Sequence, residues 1–110
     1  MELKRGDVVI VVPPGDLGKP RPGVVVQSNH LNAIQPTILI CLMTSDLENA
    51  PAVRVTITPS QQNGLRTTTQ VMVDKLSALP RTRIKARIGG VTEAQLAEIG
   101  ASLKLCLGLV

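Results

Sequence analysis

The chain has 110 residues, the size of one domain, with 44% hydrophobic residues and no Phe, Tyr or Trp. Its core must be aliphatic, and the missing aromatics exclude both an aromatic groove for proline-rich peptides and base stacking on anything but His30 or an arginine plane. Twelve Lys and Arg against eight Asp and Glu give a net charge of +4, which suits an anionic partner and equally suits ordinary solubility.

The apolar, β-branched run Val8 to Val12 predicts a buried strand, ended by Pro13, Pro14 and Gly15. Two glycines and four prolines within residues 13 to 22 then forbid regular structure. "GVVVQS" predicts a second strand, and "NHLNAIQP" a connection with one helical turn. "TILICLMTS" is apolar on both faces, so it predicts a third strand lying centrally in a sheet or barrel.

"AVRVTIT" alternates, with Val53, Val55 and Ile57 inward and Arg54, Thr56 and Thr58 outward. "PSQQNG" turns the chain, Asn63-Gly64 supplying positive φ, and "LRTTTQVMVD" returns, so residues 53 to 73 predict a hairpin. "KLSALPRTRI" predicts a turn into a further strand. In "RTRIKARIGG", Arg81, Arg83, Lys85 and Arg87 share one face and Ile84, Ala86 and Ile88 the other, until Gly89-Gly90 stops it.

The last segment, "VTEAQLAEIGASLKLCLGLV", predicts a helix. Thr92 is a good N-cap, Gln95 closes a capping box, and Val91 can staple against Leu96. Leu96, Ile99, Leu103 and Cys106 or Leu107 make a core-facing stripe. The fold expected is mainly β: a small, partly closed barrel of about six strands with a terminal helix, all in one domain over residues 1–110.

"MELKRGD" turns polar after three residues, so no secretory signal is expected, and no apolar run approaches the roughly 18 residues of a membrane helix. Cys41 and Cys106 sit in apolar runs without a CxxC or CxxxH pattern. They read as reduced, buried packing residues of a cytoplasmic protein, and neither a metal site nor a cofactor is expected.

Chemistry concentrates at a few places. In "KPRP", Pro20 and Pro22 fix their own φ and hold Arg21 extended, with Lys19 as a looser cation beside it. A pre-set guanidinium can meet a phosphate through two parallel hydrogen bonds and stabilise charge developing on phosphoryl oxygens. The same prolines also fit a surface loop that prevents edge pairing. In "MTSD", Thr44 and Ser45 can donate to a phosphate and Asp46 can accept; a plain turn fits as well. Asp74, just past a buried strand, can act as a base, orient an arginine or simply cap a turn. His30 is the lone histidine, and the basic run Arg81 to Arg87 can follow a phosphate backbone or defend a sheet edge.

"KRGDVVIV", "KPRPGVVVQSN", "ILICLMTS", "NGLRTTTQVMVDKLSALPRTRI" and a C-terminal amphipathic helix follow one another in this order. In this the chain resembles, over nearly its whole length, the MazF/PemK toxin family. The resemblance implies an SH3-like barrel of the CcdB/MazF kind with helices, paired as a homodimer. It implies a metal-independent, sequence-specific endoribonuclease (an mRNA interferase) cutting single-stranded RNA to 2′,3′-cyclic phosphate and 5′-hydroxyl ends. A cognate, MazE-like antitoxin would inhibit it with an acidic, flexible segment.

Carried over by position, the family's "RP" arginine falls on Arg21, as stabiliser of the transition state. The hydroxyl ending the third strand falls on Thr44, with Ser45 beside it, and the acidic position falls on Asp74. Lys19, Gln27, Ser45 and Arg81 are the expected substrate contacts. The sequence departs from the family at Met72, where PemK-like members can carry arginine, and in the first loop, where Asp16 is the nearest counterpart of a Glu or His. The resemblance does not assign the general base. A gyrase-binding toxin of the CcdB kind is the alternative, but the chain ends "LGLV" without that group's Trp-Gly-Ile tail.

Overall fold

The computed structural model describes residues 1–15 and 18–110, so Asp16 lies outside the described residues. Six strands build one antiparallel sheet: β1 (Asp7–Val11), β2 (Arg21–Val25), β3 (Thr37–Thr44), β4 (Arg54–Ile57), β5 (Thr69–Pro80) and β6 (Ile84–Gly90). Their order is β4-β5-β3-β2-β1-β6. Two helices accompany them, α1 (Asn29–Asn32) and α2 (Glu93–Cys106). This is the mainly β architecture with a terminal helix that the sequence predicts.

The central position of β3 follows from its two apolar faces. Successive side chains on a strand point to opposite sides. Ile38 and Ile40 enter one buried cluster with Val9, Val11 and Val25. Cys41 and Met43 enter the other with Val8, Val24 and Val71. Each fully buried aliphatic side chain contributes roughly 1.5–3 kcal/mol. The sheet therefore has a core on both sides. The second cluster is covered by α2, through buried Ile99 and half-buried Leu96 and Leu103.

The capping box forms as expected: Gln95 N–H donates to Thr92 Oγ1 (3.1 Å) and Thr92 N–H to Gln95 Oε1 (2.9 Å). The far end of the stripe does not pack. Cys106 and Leu107 are exposed, so the expected burial of Cys106 does not hold; Cys41 is buried.

Two further expectations change. β5 does not stop at Asp74 but continues to Pro80. Its pairing with β3 jumps from Met43↔Val71 to Cys41↔Leu76, five steps on β5 against two on β3. This bulge bends the strand, which carries Val71 and Val73 in one cluster and Leu79 in the other. The basic run does not form one strand face either, since Arg81–Arg83 is a 3-10 turn preceding β6.

β4 and β6 are the two edges of the sheet. The loop of residues 58–68, which joins β4 to β5, lies against β6 and closes the barrel. Gly90 N–H donates to the Gln62 carbonyl (2.9 Å). Added Cβ atoms would stand 2.2 Å from the Ile88 carbonyl oxygen at Gly64 and 2.4 Å from the Gln62 carbonyl oxygen at Gly89. Buried Asn63 holds the loop's shape: its Oδ1 accepts from Ser60 N–H and Leu65 N–H, each at 3.0 Å, and its Nδ2 donates to the Thr58 carbonyl (2.9 Å).

Candidate active site

Arg21 opens β2 opposite Val11, with Pro22 opposite Ile10 on β1. β2 is an inner strand, flanked by β1 and β3. Pro22 therefore guards no sheet edge. The "KPRP" prolines set the backbone of a half-buried arginine at a strand mouth.

β3 ends at Thr44, which pairs with Gln70 on β5. A cleft of about 640 Å³ lies between these strand ends and the 58–68 loop. Lys19, Arg21, Thr44 and Ser45 all line it, together with Leu65, Arg66, Thr67 and Thr69, over apolar Ile10, Met43 and Ile88. Four of the predicted site residues thus meet in one place, from the first loop, β2, and the end of β3. The third cation, Arg66, was not singled out in the sequence. Its loop reaches the cleft only because Gly64 and Gly89 permit the close approach to β6.

Thr44 is oriented within this wall. Asp46 N–H donates to Thr44 Oγ1 at 3.0 Å. With an oxygen lone pair engaged, the hydroxyl keeps its own proton to donate. Arg21 also borders a second concavity of about 310 Å³, with Pro13, Pro14, Gly15, Leu42, Met72 and Lys75.

The other predicted residues are not brought here. Asp74 is exposed on the β5 bulge and lines neither concavity, although its neighbour Lys75 lines the smaller one. Gln27 is only 6% exposed. Its Nε2 donates to Asn32 Oδ1 (3.0 Å) and the Thr37 carbonyl (3.1 Å), and its Oε1 accepts from Leu39 N–H (3.3 Å). It ties α1 to β3 instead of facing a ligand.

Arg81 borders a separate concavity beside Met1 to Lys4 and α1, with its guanidinium on the carbonyls of Gln35 (3.1 Å) and Asn32. The rest of the basic run is engaged internally as well: Arg83 on the Val12 carbonyl, Lys85 on the Thr82 carbonyl, and Arg87 on Asp7 at 2.9 Å. Lys85 and Arg87 belong to edge strand β6, so the edge reading of that run fits better than a phosphate track. His30 is exposed on α1. Among the described residues, no three His, Cys, Asp or Glu side chains gather as metal ligands would.

The family model described as "PemK-like, MazF-like toxin of type II toxin-antitoxin system" matches residues 4–107. The chain belongs to the PemK/MazF-like toxins. A probable endoribonuclease MazF from Mycolicibacterium smegmatis is 31% identical over 108 residues, covering 97% of this chain and 98% of the relative. An endoribonuclease MazF from Staphylococcus epidermidis is 22% identical over 111 residues, covering 97% and 92%.

Among solved structures, an endoribonuclease in complex with its cognate antitoxin from a mycobacterial species superposes with a TM-score of 0.83 at 24% identity, covering 98% of this chain and 97% of that one. A MazE–MazF complex from Deinococcus radiodurans gives 0.78 at 24% identity, with coverages of 98% and 97%. At that identity these structures establish the fold, and the PemK/MazF-like barrel expected from the sequence is the one observed.

Proposed function

We propose that this PemK/MazF-like protein is a metal-independent endoribonuclease that cuts single-stranded RNA at particular sequences. The observation that carries the reading is the convergence of Arg21 and Thr44 on one cleft. The scissile phosphate lies between them. The RNA 2′-oxygen attacks the adjacent phosphorus, the bond from phosphorus to the 5′-oxygen breaks, and a 2′,3′-cyclic phosphate and a 5′-hydroxyl result. The Arg21 guanidinium holds the non-bridging oxygens as negative charge builds on the pentacovalent centre, with its extended backbone already set by two prolines.

Thr44 donates its hydroxyl proton to the same phosphate. Ser45 and the cations Lys19 and Arg66 hold the neighbouring nucleotides. Proton transfer from the 2′-hydroxyl and to the leaving 5′-oxygen passes through solvent water in this reading, and Asp74, outside the cleft lining, has no step.

The same three cations suit the acidic, flexible segment of a cognate MazE-like antitoxin, which would compete with RNA for the cleft. A cytoplasmic homodimer is the form in which we expect the protein to act.

The test is digestion of a long unstructured RNA in excess EDTA by the protein and by Arg21→Ala, with fragment ends mapped. Cuts at a short recurring sequence, leaving 5′-hydroxyl ends and lost in the variant, support the reading. If several varied RNAs stay intact, the nuclease assignment falls, and capture of gyrase tests the CcdB-like alternative. Equal cutting by both proteins removes Arg21 from the mechanism.

A further inference from the structure

Thr44 does not hold its own orientation. The N–H that fixes its hydroxyl belongs to Asp46, in a stretch of residues 45–53 that is neither helix nor strand. A polar cluster on β4 and β5, centred on buried Gln70, holds that stretch. Arg54 donates through Nη1 to the Asp46 carbonyl and to Gln70 Oε1, both at 3.0 Å. Gln70 Oε1 also accepts from Glu48 N–H (2.9 Å), while its Nε2 donates to the Glu48 carbonyl (3.0 Å) and Thr56 Oγ1 (3.2 Å).

An amide has two acceptor and two donor positions, and Gln70, 6% exposed, uses all four. Strand register places it: Gln70 pairs with Thr44 on one side and with Thr56 on the other. A Glu48 carboxylate 3.4 Å from Arg54 Nη2 completes the cluster.

We infer that Gln70 and Arg54 are positioning residues for the reaction: they hold Asp46 in place, and Asp46 N–H sets the direction of the Thr44 hydroxyl. The inference rests on the reading of Thr44 as a contact of the scissile phosphate. It explains why a glutamine is buried on the face of β5 opposite Val71 and Val73. A hydrocarbon there would leave both backbone groups of Glu48 and the Arg54 donor without their partner. The loop would then be free to carry Asp46 away from Thr44.

The relay is tested by a mutant cycle on RNA cleavage, with Asp46 amide exchange measured by NMR alongside. Gln70→Leu and Arg54→Gln should each lower kcat about 10- to 100-fold, the cost expected when a reacting group is displaced by about an ångström. KM should stay within about threefold, because the cations of the cleft are untouched.

In a Thr44→Val background neither change should lower kcat further, because its only route to the chemistry is already gone. Asp46 amide exchange should accelerate in both variants. Gln70→Glu, which keeps the acceptors for Glu48 N–H and Arg54 but loses the donor to the Glu48 carbonyl, should recover part of the rate. Full multiplication of the losses in the double variants overturns the relay, as does an unchanged kcat in the single ones. If Thr44→Val itself cuts at the normal rate, the assignment of Thr44 falls and the relay with it. Should Gln70→Leu fail to fold, Arg54→Gln on edge strand β4 carries the same test and leaves the bonds between Gln70 and the Glu48 backbone in place.

Discussion

Gly64 and Ile88 approach so closely that a Cβ on the glycine would stand 2.2 Å from the isoleucine's carbonyl oxygen. Gly64 also has φ +70°, a region that costs other residues about 1–2 kcal/mol. Gly64→Ala should therefore lose more than about 2 kcal/mol, lowering the melting temperature by roughly 4–8 °C per kcal/mol. Gly15 provides the control: it has φ +79° but nothing within 4 Å of an added Cβ. Gly15→Ala should show the backbone cost alone. Melting followed by circular dichroism separates the two terms, and equal losses would refute the close contact.

Arg21→Lys should behave almost as badly as Arg21→Ala. A lysine keeps the charge but not the planar fork that meets two phosphoryl oxygens at once. We expect kcat to fall about 10²- to 10³-fold, the scale of a lost transition-state donor. Single-turnover cleavage measures this; a lysine variant within threefold of the parent would reduce Arg21 to a point charge.

Arg66 should act on binding. Arg66→Gln is expected to raise KM and leave kcat nearly unchanged. The slope of log(kcat/KM) against log[salt] should flatten by about 0.7, the counterion release of one contact on a single strand. Arg81→Gln, on its internal carbonyls, should leave that slope alone. Equal slopes for the parent and Arg66→Gln would remove Arg66 from the RNA contacts.

The two thiols should differ sharply. Burial pushes the Cys41 thiol up to about 12, with the neighbouring Cys106 adding to the rise, whereas Cys106 is exposed. Ellman's reagent should titrate one thiol in the folded protein and two after denaturation. A raised folded pKa means that the stability linked to the protonated thiol is complete below the unfolded value near 9. It is lost as pH rises towards about 12. The stability advantage of the parent over Cys41→Ala should shrink across that window. Two reactive thiols in the native protein would contradict the buried position.

Much of this was legible in the chain, and the failures share a cause. Apolar β-branched runs gave away β1, β2 and β3, and the capping box at Thr92 was readable because all its parts are local. Arg21 and Thr44 stood out through prolines and a strand end. The course of β5 past Asp74 was hidden, since a bulge breaks the alternation that marks a strand.

Gln27 and Arg81 looked available for RNA because their partners are carbonyls and amides brought near only by the fold. Arg66 read as part of the returning strand, which in fact begins at Thr69, and its place at the cleft depends on two glycines 25 residues apart, Gly64 and Gly89. Cys106 continues the helical period of the stripe, but the period alone does not fix how far along α2 the buried face extends.

The pairing of β1 with β6 joins the first strand of the chain to the last. A ribosome delivers them in that order, so one flank of β1 must wait for residues 84–90 to emerge. Ile88, part of the cleft floor and the seat of the Gly64 loop, arrives in the same segment. Such distant pairings form late in folding. A nascent chain can already carry Arg21, Thr44 and the 58–68 loop while Ile88, the part of the floor against which that loop sits, is missing. The part of the cleft that β6 supplies is therefore complete only once residues 84–90 have been made and paired with β1.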